Sequence, residues 1–166
     1  MSKHLYLLRH AQTKEKQTGQ SDFDRELTSI GLQNANRMGI NFSNKNIQPD
    51  IIISSQAKRA KTTSKIIAEQ IRYNPDKIHF NEEIYNASIR TLLQVVNQMK
   101  DEWNSVILVG HNPAITYLAE YLTNEEIGDM STCGFVVIEF PFDEWQLVSE
   151  GNGNFITYEY PDLLNF

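Results

Sequence analysis

Short apolar runs alternate along this chain with longer stretches in which apolar residues recur every three or four positions. Residues 4–9, Ile51-Ile52-Ile53 and residues 105–109 are near-continuous apolar runs, which predict strands buried on both faces of a parallel sheet. Residues 77–80 predict a further short strand. Between these runs the period is helical. Thr28 offers an N-cap to a helix reaching about residue 43, with Leu32, Ala35, Met38 or Gly39, and Phe42 turned inward. A second helix over about 56–71 places Ala60, Ile67 and Ile71 toward the core, and a third over about 89–99 places Leu92, Leu93, Val96 and Met99 there. A fourth runs from Pro113 to about Leu122, proline being well suited to a first helical turn.

After a polar linker at 123–131 the pattern changes to β. Residues 133–140, 144–149 and 154–160 predict strands joined by two hairpins, with turns at Asp143-Glu144 and Gly151-Asn152-Gly153. The alternation of strand and helix up to residue 122 argues for an α/β fold with a mainly parallel sheet and helices on both faces. The last strands then form an antiparallel edge. Residues 11–27, polar and carrying Gly19, Asp22 and Asp24, predict a long loop of the kind that is usually functional or mobile.

A chain of 166 residues predicts a single domain over 1–166 with a full core. Its net charge of −6 lacks the clustered basic footprint of a nucleic-acid binder, so an anionic substrate would need a local cationic pocket. The lone Cys133 excludes an intrachain disulfide framework and, within an apolar run, reads as a small buried hydrophobe. The start Met1-Ser2-Lys3-His4 has no signal-peptide pattern, and no apolar stretch approaches the roughly 18 residues that span a bilayer. The expectation is a cytoplasmic, soluble protein with no membrane partner.

Three strand-to-helix junctions carry candidate chemistry. Arg9-His10 ends the first strand; Ser54 to Thr63, with Arg59, follows the second; Gly110-His111-Asn112-Pro113 follows the strand at 105–109. Ligands of open α/β sheets bind at the carboxyl ends of strands. Helix starts favour anions, and a guanidinium presents two parallel donors to phosphate oxygens. Arg, His, Arg and His from three junctions therefore suit a phosphoryl group.

These segments resemble a known family. Arg9-His10-Ala11-Gln12-Thr13 is similar to the Arg-His-Gly/Ala signature of the histidine phosphatase superfamily (phosphoglycerate mutase-like). Leu27-Thr28-Ser29-Ile30-Gly31, Ser54-Ser55 with Arg59-Ala60 and Thr63, and Val109-Gly110-His111-Asn112-Pro113 follow in the family's order. The likeness is greatest to its short branch, the SixA-type phosphohistidine phosphatases. The resemblance implies a three-layer αβα fold. It also implies His10 as the nucleophile that becomes phosphorylated, and a phosphate pocket made of Arg9, His10, Arg59 and His111, the latter imidazole protonated. No metal or other cofactor is implied, because side chains supply the positive charge.

The sequence departs from the family at Gln56, where proline is common. Larger relatives use a glutamate after the third strand as general acid, and Asn81-Glu82-Glu83-Ile84-Tyr85 falls in that region, with Glu83 the preferred candidate and Glu82 the alternative. A short chain has little room for a lid, which favours phosphohistidine on a protein. A small phosphorylated metabolite, a mutase that returns the phosphoryl group, and a non-catalytic phospho-group binding module are the alternatives.

Overall fold

The computed structural model describes residues 2–165, in which six strands and four α-helices alternate. In chain order they are β1 (Lys3–Arg9), α1 (Ser29–Asn44), β2 (Ile51–Ser54), α2 (Lys58–Gln70), β3 (His79–Phe80) and α3 (Ile89–Asn97). There follow β4 (Ser105–Gly110), α4 (Ala114–Thr123), β5 (Phe135–Phe140) and β6 (Asn154–Glu159). The strands form one sheet in the order β3-β2-β4-β1-β5-β6. The first four positions are mutually parallel, and β5 and β6 add an antiparallel edge.

Side-chain alternation in the central strands creates two cores. In β4, Val106 and Leu108 pack with α3 and α4 through Leu92, Val96, Leu118 and Leu122. Ile107 and Val109 point the other way, to Ala35, Met38 and Phe42 of α1 and Ala60 and Ile67 of α2. Each such fully buried aliphatic side chain contributes about 1.5–3 kcal/mol. The result is a three-layer αβα arrangement. Thr28 caps α1 by accepting from the Gly31 N–H at 2.9 Å, and Ser88 caps α3 from Thr91 at 3.2 Å.

Several expectations are corrected. Leu32 is 45% exposed; the inward stripe of α1 is Gly31, Ala35, Met38, Gly39 and Phe42, one position out of phase with it. The helix start packs directly on the Gln12 carbonyl, where a side chain at 31 would collide. Residues 144–149 are not a strand. Trp145–Leu147 is a 3-10 turn, and β5 pairs directly with β6. Trp145 and Val148, three residues apart, are the buried pair, while Leu147 faces out. The Trp145 indole N–H donates to the Trp103 carbonyl at 2.8 Å, and Asn97 donates to the carbonyls of Trp145 and Val148.

Cys133 is fully buried but lies in the turn before β5, with φ of 60°, and burial pushes its thiol up to about 12. Tyr117 is exposed. Of the C-terminal tail, Leu164 packs against the α1 side of the core; the aromatic end Phe166 lies outside the described residues. No helix among the described residues is long and apolar enough to cross a membrane.

Candidate active site

Register brings the two histidines together. In the parallel pair β1–β4, Arg9 lies opposite Gly110, so the next residue of each strand leaves the sheet at the same level. The His10 N–H donates to the Gly110 carbonyl at 3.2 Å, and the rings of His10 and His111 lie 5.1 Å apart at 52°. The helices that follow these neighbouring strands, α1 and α4, pack on opposite faces, opening a crevice between their N-termini. In β2, Ser54 lies opposite Val109, and Ser55 donates its N–H to the Val109 carbonyl, which delivers a third junction to the same place.

His10 is 7% exposed. Its Nδ1 lies 2.8 Å from the Ala11 carbonyl oxygen, which can only accept, so the ring's hydrogen is on Nδ1 and Nε2 carries a free lone pair. Ala11 itself is fixed by its N–H, which donates to Thr63 Oγ1 at 3.0 Å, while the Thr63 hydroxyl donates to the Arg59 carbonyl at 2.7 Å. The Cys133 N–H donates to the carbonyls of both Arg9 and His10, closing the turn from below. Burial first, opposed by the hydrogen bond to Ala11 and reinforced by the neighbouring His111 ring and the Arg59 and Arg9 guanidiniums, brings His10 down to about 3, so the ring is neutral near pH 7.

His111 is held by Ser55, whose Oγ lies 2.7 Å from Nε2. Ser55 Oγ also accepts from the Ala57 N–H, and in the tautomer where the Ser55 hydroxyl donates to Nε2 the ring's own hydrogen is on Nδ1. That Nδ1 is buried without a partner. Burial, then Arg59, lower His111 to about 4. The imidazole expected to be protonated is therefore neutral near pH 7. A phosphoryl dianion arriving beside it would raise its pKa again.

Arg9 donates through Nη1 to the Met130 carbonyl at 2.7 Å, and its Nε is buried without a partner, a second unmet donor in the cluster. Arg59, also 7% exposed, donates to the Asp22 carbonyl at 2.7 Å and to Asp22 Oδ2 at 3.0 Å. Tyr85 donates its hydroxyl to the same Oδ2 at 2.6 Å, with the Arg59 guanidinium 5.8 Å over its ring. The Tyr85 hydrogen bond, followed by those of Arg25 and Arg59, holds the Asp22 carboxyl well below the usual carboxylate range. The loop 11–27 is tied down: Lys14 N–H donates to the Glu26 carbonyl, Thr28 N–H to the Gln12 carbonyl, and Thr13 bridges to Leu27.

The structure thus gathers Arg9, His10, Arg59 and His111. It does not place Glu83 with them. Asn81 Oδ1 accepts the Glu83 N–H in a tight turn that leaves Glu82 and Glu83 exposed and sends Ile84 and Tyr85 inward. A cavity of about 420 Å³ beside the histidines is lined by Asp22, Arg59, Ile84, Tyr85, Asn86 and His111, with Asn112 to Ala114. A larger hollow of about 500 Å³ between Ser43 and Tyr73 has no acid–base pair, so the chemistry points to the former. Asp22, Tyr85 and Ser55 are the site residues that sequence reasoning missed. Contacts across the chain, not a local pattern, give them their place. Among the described residues no three His, Cys, Asp or Glu side chains are arranged to hold a metal ion.

Comparison with known proteins agrees with this geometry. The model of the histidine phosphatase superfamily (branch 1) matches residues 5–92, just over half of the chain. The serine/threonine-protein phosphatase PGAM5 of Xenopus tropicalis is 39% identical over 45% of this chain and 25% of its own length. The Xenopus laevis counterpart is 26% identical over 95% of this chain and 60% of its own. The chain thus spans at most 60% of the length of these mitochondrial relatives. Among solved structures, SixA of Agrobacterium tumefaciens superposes with a TM-score of 0.81 at 27% identity, covering 96% of this chain and 98% of that one. The protein histidine phosphatase SixA complexed with tungstate gives 0.80 at 21% identity, covering 97% and 99%.

Proposed function

The chain belongs to the histidine phosphatase superfamily, and we propose that it is a metal-independent phosphatase working through a phosphohistidine on His10, with phosphohistidine of a protein as its substrate. In this reading the lone pair of His10 Nε2 attacks phosphorus while Nδ1–H stays on the Ala11 carbonyl. Arg9, Arg59 and His111 Nδ1–H hold the equatorial oxygens, where preorganised donors lower the barrier most. The bond to the leaving group breaks, and water then attacks the phosphoryl group on His10 and carries it away as phosphate. Glu83, exposed in its turn, has no part in this route.

The observation that carries the reading is the pairing of a neutral, Nδ1-anchored His10 with a second imidazole 5.1 Å away, beside two guanidiniums. A protein-borne phosphoryl group is favoured because short turns, such as 81–84, border the cavity. The SixA neighbours favour phosphohistidine; the PGAM5 relatives, named serine/threonine-protein phosphatases, favour a phosphoprotein ester as the second reading.

The test is turnover of an aryl phosphate without added metal, together with a rapid quench on labelled substrate. The expected result is acid-labile, base-stable label on His10, and no turnover in His10→Ala. Undiminished activity in that variant would overturn the assignment.

A further inference from the structure

A phosphoester departs as an alkoxide that needs a proton, yet the cavity beside the histidines offers no free carboxylic acid: its one carboxylate is ion-paired, the Tyr85 hydroxyl is committed to that carboxylate, and Glu83 faces solvent. That carboxylate belongs to Asp22. Arg59 and Tyr85 donate to Oδ2 and Arg25 donates to Oδ1 at 3.1 Å, so three of its roughly four acceptor positions are filled. The remaining one is on Oδ1, on a side chain 45% exposed that lines the cavity next to His111. Apart from Arg59, which Asp22 pairs, the rest of the lining is uncharged: Ile84, Tyr85, Asn86, Ala87 and Asn112 to Ala114. The space for the leaving group is therefore lined by one carboxylate, paired with Arg59 and Arg25, that has one acceptor to spare.

We propose that Asp22 is a specificity residue, selecting phosphoryl donors that are protonated phosphoimidazoles and rejecting those whose leaving group is anionic. The proposal rests on the phosphatase reading above and names the substrate feature that Asp22 recognises. A phosphoimidazole protonated on its far nitrogen spreads a positive charge over the ring. As the His10 Nε2 lone pair forms its bond to phosphorus, the P–N bond breaks and its electron pair returns to the ring. The ring leaves as neutral imidazole with its proton still on the far nitrogen, so no acid is required. Asp22 accepts that N–H and favours the protonated, reactive form of the donor.

His10 follows the same design. Once phosphorylated on Nε2 it is itself a phosphoimidazolium, and its far N–H rests on the Ala11 carbonyl at 2.8 Å. Asp22 would serve the incoming ring as that carbonyl serves the resident one. The carboxylate also occupies Arg59 and Arg25, which would otherwise be free to bind a carboxylate or second phosphate on a metabolite.

The experiment compares phosphoimidazole with 3-phosphoglycerate as substrates of the wild-type protein, Asp22→Asn and Asp22→Glu. In Asp22→Asn the KM for phosphoimidazole should rise about tenfold and that for 3-phosphoglycerate should fall, the scale of one charge pair near a protein surface. Asp22→Glu, which keeps the charge, should keep the wild-type order of preference. A role confined to holding Arg59 would weaken both substrates alike in Asp22→Asn, and that parallel loss would overturn the proposal. If the wild-type protein turned over neither substrate nor an aryl phosphate, the phosphatase reading itself would fall, and the proposal with it.

Discussion

Ser55 Oγ lies 2.7 Å from Nε2 of His111, and the same oxygen accepts the Ala57 N–H at 3.1 Å. One hydroxyl thus orients an imidazole and ties the start of α2 to it. Removing it should matter twice. Ser55→Ala leaves a buried N–H without its partner, at a cost of about 1–2 kcal/mol. It also frees the His111 ring to turn or change tautomer, and kcat/KM on an aryl phosphate should fall about 10-fold, short of the 10²–10³ typical when a donor itself is deleted. Urea melts and initial rates on the same preparation test both effects. Full activity in Ser55→Ala would show that His111 is oriented by packing alone.

The two histidines should also write themselves into the pH dependence of stability. Burial lowers His10 to about 3 and His111 to about 4, whereas an unfolded histidine titrates near 6.5. Between these values the unfolded chain binds more protons than the folded one. Stability is therefore lost as pH falls from about 6.5 toward the folded values, and restored as it rises. From pH 7 to pH 5 the loss should be on the order of 2 kcal/mol per histidine, an upper figure because His111 borders the cavity. This window lies above the ordinary carboxylate range, so Asp22, held low by Tyr85, does not contribute to it. Urea midpoints of the wild-type protein should drop between pH 7 and 5, and those of a His10→Ala/His111→Ala variant should drop much less.

What the sequence made legible is the framework of the site. Continuous apolar runs marked β1, β2 and β4, and the residues just beyond them, Arg9, His10 and His111, could be expected at one edge because parallel strands end together. Register, which decides that Arg9 faces Gly110 rather than Val109, is a contact between distant segments and has no local signal. The same applies to Asp22 and Tyr85, which are 63 residues apart and meet through one hydrogen bond. At residues 82–83 two glutamates drew attention by their chemistry, while the Asn81 turn decided which side chains faced inward. Near the C-terminus, Trp145, Leu147 and the turn residues mimic a hairpin strand, but the bulk of an indole anchored on Trp103 imposes a three-residue period instead.

Positive charge in the pocket comes from two guanidiniums, and neither depends on a bound ion. Arg9 is positioned by the Met130 carbonyl and Arg59 by Asp22. Turnover of an aryl phosphate should therefore be unchanged by EDTA and by added magnesium. Arg59→Lys should lose about 10²-fold in kcat/KM, because an ammonium cannot reproduce a forked donor. A rate that collapses with EDTA and returns with a divalent cation would redirect the chemistry toward the Asp22 side of the pocket.

Arg9 rests on a closed ring of hydrogen bonds. Its Nη1 donates to the Met130 carbonyl, which also accepts from Asn112 Nδ2 at 3.1 Å. The Thr116 hydroxyl donates to Asn112 Oδ1 at 2.6 Å and accepts the Met130 N–H at 3.1 Å. Thr116 is 1% exposed, so Thr116→Val keeps the shape and deletes only the hydroxyl. The Met130 N–H would then be buried unpaired, costing about 1–3 kcal/mol. The peptide that anchors Arg9 would be free to shift, and competitive inhibition by inorganic phosphate should weaken several-fold, while Thr116→Ser, which keeps the hydroxyl, should restore it. An unchanged inhibition constant in Thr116→Val would mean that Arg9 is fixed by burial of its own stem and that the ring serves stability alone.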